Sequence, residues 1–165
     1  MIGARDNVAR DVGRTKKYPI HCIECGKQEV RPAVVARNVQ KNHDGRVYDL
    51  SISGLPVTRC GACGEIFFTA DSDERIAAAL RDCMGLLTPE QIRGNLEMLK
   101  LNQKEAAERL GVAAETMSRW LSGAMIQSRA MDNLLRGFFA YPELREKLRP
   151  GERDRWFGVM ARKPA

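Results

Sequence analysis

Cys22-Ile-Glu-Cys25-Gly26 and Cys60-Gly-Ala-Cys63-Gly64 decide the reading of the first half of this chain. Each is a CxxC turn followed by glycine, and 34 residues lie between Cys25 and Cys60. A CxxC turn sets two thiolates on the same side of a tight bend, and Zn²⁺ takes four such ligands at about 2.3 Å in a tetrahedron. Glycine after the second cysteine lets the backbone turn with φ > 0, so that amides can point at the sulfurs. The pattern predicts one structural zinc ion held by Cys22, Cys25, Cys60 and Cys63. A rubredoxin-like iron site, a dithiol redox centre and two disulfides are the alternatives. Disulfides suit secreted chains, and nothing marks this one as secreted.

At 165 residues the chain suits one ordinary domain or two small ones. No apolar run approaches the roughly 18 residues needed to span a bilayer, so no membrane role is expected. The first twenty residues carry five basic side chains without a following apolar stretch, which is not a secretory signal. The expected compartment is the reducing cytosol. The formal charge of +6 divides as +3 over residues 1–20, +1 over 21–69, −2 over 70–87 and +4 over 88–165. Four thiolates and a zinc ion would bring the total to about +4, mildly basic, as in many nucleic-acid binders.

Along the chain, residues 1–20 read as a basic flexible arm and 21–70 as a zinc-binding β domain. Ala33-Val34-Val35 and Val39 lead to the turn signal Asn42-His43-Asp44-Gly45. Val47, Tyr48, Leu50 and Ile52 follow as a strand, with Leu55, Val57 and Ile66-Phe67-Phe68 supplying two more short ones. Residues 71–87 read as a connecting helix and linker, capped by Asp71 or Ser72. Ile76, Leu80 and Cys83 form its inward face, which makes Cys83 a small core residue rather than a fifth ligand. From Thr88 the text turns helical, and 88–148 reads as an all-α domain of about five helices. Thr88-Pro89-Glu90-Gln91 and Asn102 mark two helix starts, and Gly111 and Gly123 mark two stops. Residues 149–165 form a basic tail interrupted by Trp156 and Phe157. The fold class expected is therefore α+β.

Gln103-Lys-Glu-Ala-Ala-Glu-Arg-Leu-Gly111-Val112 followed by Ala113 to Gly123 has helix-turn-helix spacing. Ala107 is small where the helices cross, Gly111 permits the turn, and Val112 plugs the junction. Met117 and Leu121 can pack on Leu110 and Ala106, leaving Ala114, Glu115, Ser118 and Arg119 outward. Such a helix enters the major groove with Arg119 placed for guanine O6 and N7, while Glu115 accepts from cytosine or orients Arg119. Gln103, Ser118 and Arg129 are phosphate candidates. The bland alternative is a solvated Glu115–Arg119 ion pair. Specificity for DNA normally needs a symmetric dimer. Leu134, Leu135, Phe138, Phe139 and Tyr141 offer apolar surface for one, or for packing within the chain.

With these motifs in this order, the chain resembles the MqsA-type antitoxins, a YgiT-type zinc finger followed by an Xre-type helix-turn-helix. The resemblance spans roughly Cys22 to Leu148. It rests on the two CxxCG pairs, the run Leu101-Asn-Gln-Lys-Glu-Ala-Ala107, Ser118-Arg119-Trp120 before Gly123, and Tyr141-Pro-Glu-Leu-Arg145. It implies that the four cysteines bind structural zinc. It also implies that the second domain dimerises on palindromic promoter DNA, with Arg119 matching the family's base-reading arginine. Glu115 stands where the best-known member has asparagine, and Leu121 where Xre-type helices commonly have glutamate. The family's first domain can hold a ribonuclease toxin, although no motif here marks that surface.

The expected function is thus a DNA-binding repressor, the antitoxin and autorepressor of a type II toxin–antitoxin operon, and not an enzyme. A zinc-finger protein acting mainly by neutralising a toxin is the alternative, and a CxxC thiol oxidoreductase the minor one. Neither pair sits in βαβ text, which argues against the last. His21 reads as lying beside the metal site, and His43 as a turn residue.

Overall fold

The structure, a computed structural model, describes residues 17–149. The first sixteen residues of the basic arm and the tail from 150, Trp156 and Phe157 included, lie outside the described residues. The rest is a three-stranded sheet followed by helices, the α+β arrangement expected.

β1 (Val30–His43) and β2 (Arg46–Cys60) form one long antiparallel hairpin, paired from Val30↔Cys60 to His43↔Arg46. Asp44 and Gly45 turn it with φ of 52° and 70°. A two-residue hairpin loop of this kind requires positive φ at both positions, which Asp-Gly tolerates well. Register slips once, between Val35 and Arg37, as a bulge. β3 (Ile66–Phe67) adds to β2 at Thr58 and Arg59.

The separate strands expected around Leu50 and Leu55 are one continuous strand. Pro56 does not break it, because the short β3 leaves that side of β2 uncovered. The Pro56 carbonyl accepts from the Ser72 hydroxyl instead, so its missing N–H costs no ladder bond.

α1 (Ala70–Met84) covers this sheet. Its N-cap is Thr69 rather than Asp71 or Ser72, and Ser72 completes a capping box. Ile76, Leu80 and Met84 are buried against Leu50, Ile52, Leu55 and Val57. The stripe advances by four at each step, so Met84 takes the last inward place and Cys83, expected in the core, is exposed. The segment read as a connector is thus packed on the sheet as part of its core.

α2 (Pro89–Met98), α3 (Gln103–Leu110), α4 (Ala114–Leu121) and α5 (Arg129–Ala140) share a second core, against which α6 (Pro142–Lys147) sets only its C-cap Leu148. Thr88, Asn102 and Ser128 cap α2, α3 and α5 as their side chains predict. Ile92, Leu96, Ala106, Ala107, Leu110, Met117, Trp120, Leu135 and Phe138 are buried there. Trp120 is the large residue that the Met117/Leu121 spacing leaves out, and Leu121 is only half-buried. Leu135 and Phe138 pack within the chain, Leu134 and Phe139 are half-buried, and Tyr141 is exposed.

The two cores meet through polar contacts and through Ile126, which packs against the sheet core. Asp132, fully buried, accepts from the Leu87 amide at 2.7 Å, Arg136 Nε at 2.7 Å and Gln127 Nε2 at 3.1 Å. Burial works against its charge, but these hydrogen bonds outweigh it and hold the carboxyl below its usual range. At the hairpin tip, His43 Nε2 donates to the Gln127 carbonyl at 3.1 Å, and Asp44 accepts from the Arg129 amide at 2.6 Å.

Candidate functional site

Each cysteine pair sits on the same backbone knuckle. Gly26 N–H closes on the Cys22 carbonyl at 2.9 Å and Gly64 N–H on the Cys60 carbonyl at 3.0 Å, with glycine φ of 72° and 79°. The Cys22 and Cys60 amides donate to the carbonyls of Lys27 and Glu65, both at 2.9 Å. Two knuckles built alike therefore face each other at the root of the hairpin, where Val30 and Cys60 pair.

All four sulfurs lie within 4.8 Å of one another, Cys22 Sγ 3.6 Å from Cys63 Sγ and Cys25 Sγ 3.7 Å from Cys60 Sγ. A tetrahedron with metal–sulfur bonds of about 2.3 Å has edges of about 3.8 Å, so these separations fit one central ion. They exclude disulfides, which need sulfurs about 2.05 Å apart. Cys22 and Cys60 are buried and Cys25 and Cys63 face out. The Cys63 amide, opposed by burial and helped by the Ala62 amide, lowers the Cys60 thiol to about 7. At Cys63 the Glu65 amide favours the thiolate, but burial and the sulfurs of Cys60, Cys22 and Cys25 push its thiol up to about 12. Four thiolates this close cannot ionise together unless a cation replaces their protons. His21 lies outside the quartet and donates from Nδ1 to the Gly26 carbonyl at 3.2 Å.

The second group of residues is on α3 and α4. Gly111 ends α3 at φ 72°, with Val112 N–H on the Ala107 carbonyl at 3.0 Å and Gly111 N–H on Glu108 at 3.2 Å. These bonds make a Schellman turn and set the angle at which α4 leaves. Gln103 Nε2 donates to the Ala114 carbonyl at 3.1 Å, tying the start of α3 to the start of α4. Ala114 is half-buried, while Glu115, Ser118 and Arg119 are exposed together. Among the described residues no ion pair joins Glu115 to Arg119, so both charges remain open to solvent.

Arg129 is placed differently. Its guanidinium donates to the Met84 carbonyl and lies 3.9 Å from Asp132, at the junction of the two cores. Two further arginines that the motif does not include reach the exit of α4. Arg93 donates to the Leu121 carbonyl at 2.7 Å, and Arg81 to the Gly123 carbonyl at 3.0 Å. Neither is signalled by spacing, because each bond links residues far apart in sequence.

No helix among the described residues is long and apolar enough to cross a membrane. No curated protein matches the chain. A solved structure from Nitrosomonas europaea ATCC 19718, described as a candidate DNA-binding protein, matches at 14% identity with a TM-score of 0.37. That alignment covers 68% of this chain and 89% of the other, a likeness too slight to bear on fold or function. The family described as "Antitoxin component of bacterial toxin-antitoxin system, MqsA" matches residues 20–149, from just before the first knuckle to the end of the helical half. The chain, with its cysteine quartet and its locked helix pair, belongs to the MqsA antitoxin family.

Proposed function

We propose that this protein is the antitoxin and autorepressor of a type II toxin–antitoxin operon, binding a palindromic operator as a homodimer and holding one structural zinc ion per chain. One observation carries the DNA-binding reading: α4 presents Glu115, Ser118 and Arg119 outward, unpaired, on a helix pair fixed by the Gly111 turn and the Gln103–Ala114 bond. An exposed guanidinium without an acidic partner is free to take guanine O6 and N7 in the major groove. Ser118 supplies a phosphate contact beside it, Gln103 adds its second amide hydrogen while the first stays on Ala114, and Glu115 sets a cytosine preference or orients Arg119. Arg129 contributes less here, since its side chain is already engaged. Dimerisation uses the helical half, where Tyr141 is exposed and Leu134 and Phe139 are half-covered. Family membership supports a toxin partner, for which this reading uses the zinc module, and convergence of the two CxxC pairs on one centre favours metal over thiol redox chemistry.

The test is a salt-controlled binding assay on duplexes from the protein's own upstream region against random duplexes of equal length. Arg119→Ala should lose about 1–3 kcal/mol of discrimination while retaining the salt-dependent background. Equal discrimination in mutant and wild type would remove Arg119 from base reading.

A further inference from the structure

The exit of α4 is held from both sides by the module that carries the cysteines. Ile126, in the loop after α4, is partly buried against the sheet core. The hairpin tip takes the Gln127 carbonyl and the Arg129 amide. From α1, Arg81 donates to the carbonyls of Gly123 at 3.0 Å and Met125 at 3.4 Å. Arg81 is 6% exposed, and its Nε has no hydrogen-bond partner. It lines a cleft of about 520 Å³ between α1, the start of α2 and the end of α4, with Arg93 and Glu90 on the other wall.

A buried guanidinium with an unpaired N–H is a poor way to gain stability. An apolar side chain of similar length at such a place is often neutral or stabilising. What Arg81 supplies is geometry. The Gly123 and Met125 carbonyls lie just past the Ser122 C-cap of α4, so a rigid fork fastened to both fixes the path by which the chain leaves the helix. Burial lowers the Arg81 pKa, and Glu90 opposes that shift; a guanidinium stays charged at neutral pH.

We propose that Arg81, a residue of the metal-binding module, is a positioning residue for DNA recognition, fixing α4 in the groove by holding the Gly123 and Met125 carbonyls. This rests on the reading of α4 as the recognition helix. Arg81 touches no base; it acts through the orientation of Arg119 and Glu115 on the helix it anchors.

The experiment compares the full-length wild type with Arg81→Met and Arg81→Lys, each zinc-loaded. Four quantities are read: operator-to-random discrimination, the salt slope on random duplex, zinc per chain, and the melting temperature. Arg81→Met should keep its zinc, melt at or above the wild-type temperature and keep the salt slope, yet lose at least about fivefold in discrimination. Arg81→Lys, which restores one charged donor, should recover part of that loss. Undiminished discrimination in Arg81→Met would overturn the proposal. So would a loss that accompanies early melting and affects random duplex equally, because Arg81 would then be structural only; in that event Arg81→Lys must also follow its own melting temperature. A wild type that fails to discriminate at all would instead remove the reading of α4, and it is seen before any variant is compared.

Discussion

Cys60 and Cys63 show how one short turn can give two identical side chains opposite chemistry. Amides pull the Cys60 thiol down to about 7, while burial and the neighbouring sulfurs outweigh the Glu65 amide and push Cys63 up to about 12. Metal uptake must displace the proton from Cys63 throughout the neutral range, so affinity for zinc should fall as pH falls. Below about pH 7 Cys60 also becomes protonated, and the dependence should steepen by roughly one further proton. Competition against a chelating dye between about pH 6 and pH 8.5 would show this; a flat profile would argue that the quartet holds no metal. Replacing the buried Cys60 by serine should abolish stoichiometric zinc, measured by metal analysis of the purified protein. The exposed Cys83 should tolerate the same change with no loss of zinc.

Among the elements, α3 and α4 depend most on a single backbone conformation. Gly111 at φ 72° sits where alanine is strained, and Gly111→Ala should destabilise the helical half by about 1–2 kcal/mol, seen as a lower melting temperature. This element was legible in the sequence because its signals are local: Asn102, Gly111 and the small Ala106 and Ala107 all act within one turn. The knuckles and the Asp44-Gly45 turn were legible for the same reason. Strand length was not, since the continuity of β2 through Pro56 depends on how far β3 extends and on Ser72 arriving from another element. The inward face of α1 ends one residue beyond the one its spacing predicts, because i+7 and i+8 differ by a single step and only the sheet beneath selects Met84 over Cys83. Trp120 and Arg81 were invisible for a related reason: their burial is decided by neighbours distant in sequence.

In the whole molecule, the two halves are joined by a polar seam rather than a free linker, and Asp132 anchors it by holding Arg129 and Arg136, which reach the Met84 and Gly85 carbonyls. A carboxyl held below its ordinary 3.8 contributes stability that is present above that value and lost as pH falls through the lower, folded one. Unfolding below about pH 4 should therefore begin at the seam. Asp132→Asn, which keeps an acceptor for Leu87 but loses the charge facing Arg136, should cost about 1–3 kcal/mol at neutral pH and flatten the acid limb of the stability curve. Urea titrations of both proteins across acidic pH would decide it, and superimposable curves would assign the seam no energetic role.

The hairpin also sets a distance. Its sulfur quartet lies at one end and its turn, lodged against the loop after α4, at the other, with thirteen paired positions between them. At about 3.3 Å per residue the strands reach on the order of 40 Å. A protein grasped at the far end would stand well clear of a duplex lying along α4, so the two loads need not collide. Any influence of one on the other would have to travel down the hairpin as leverage, bearing on the loop after α4 where the turn is lodged.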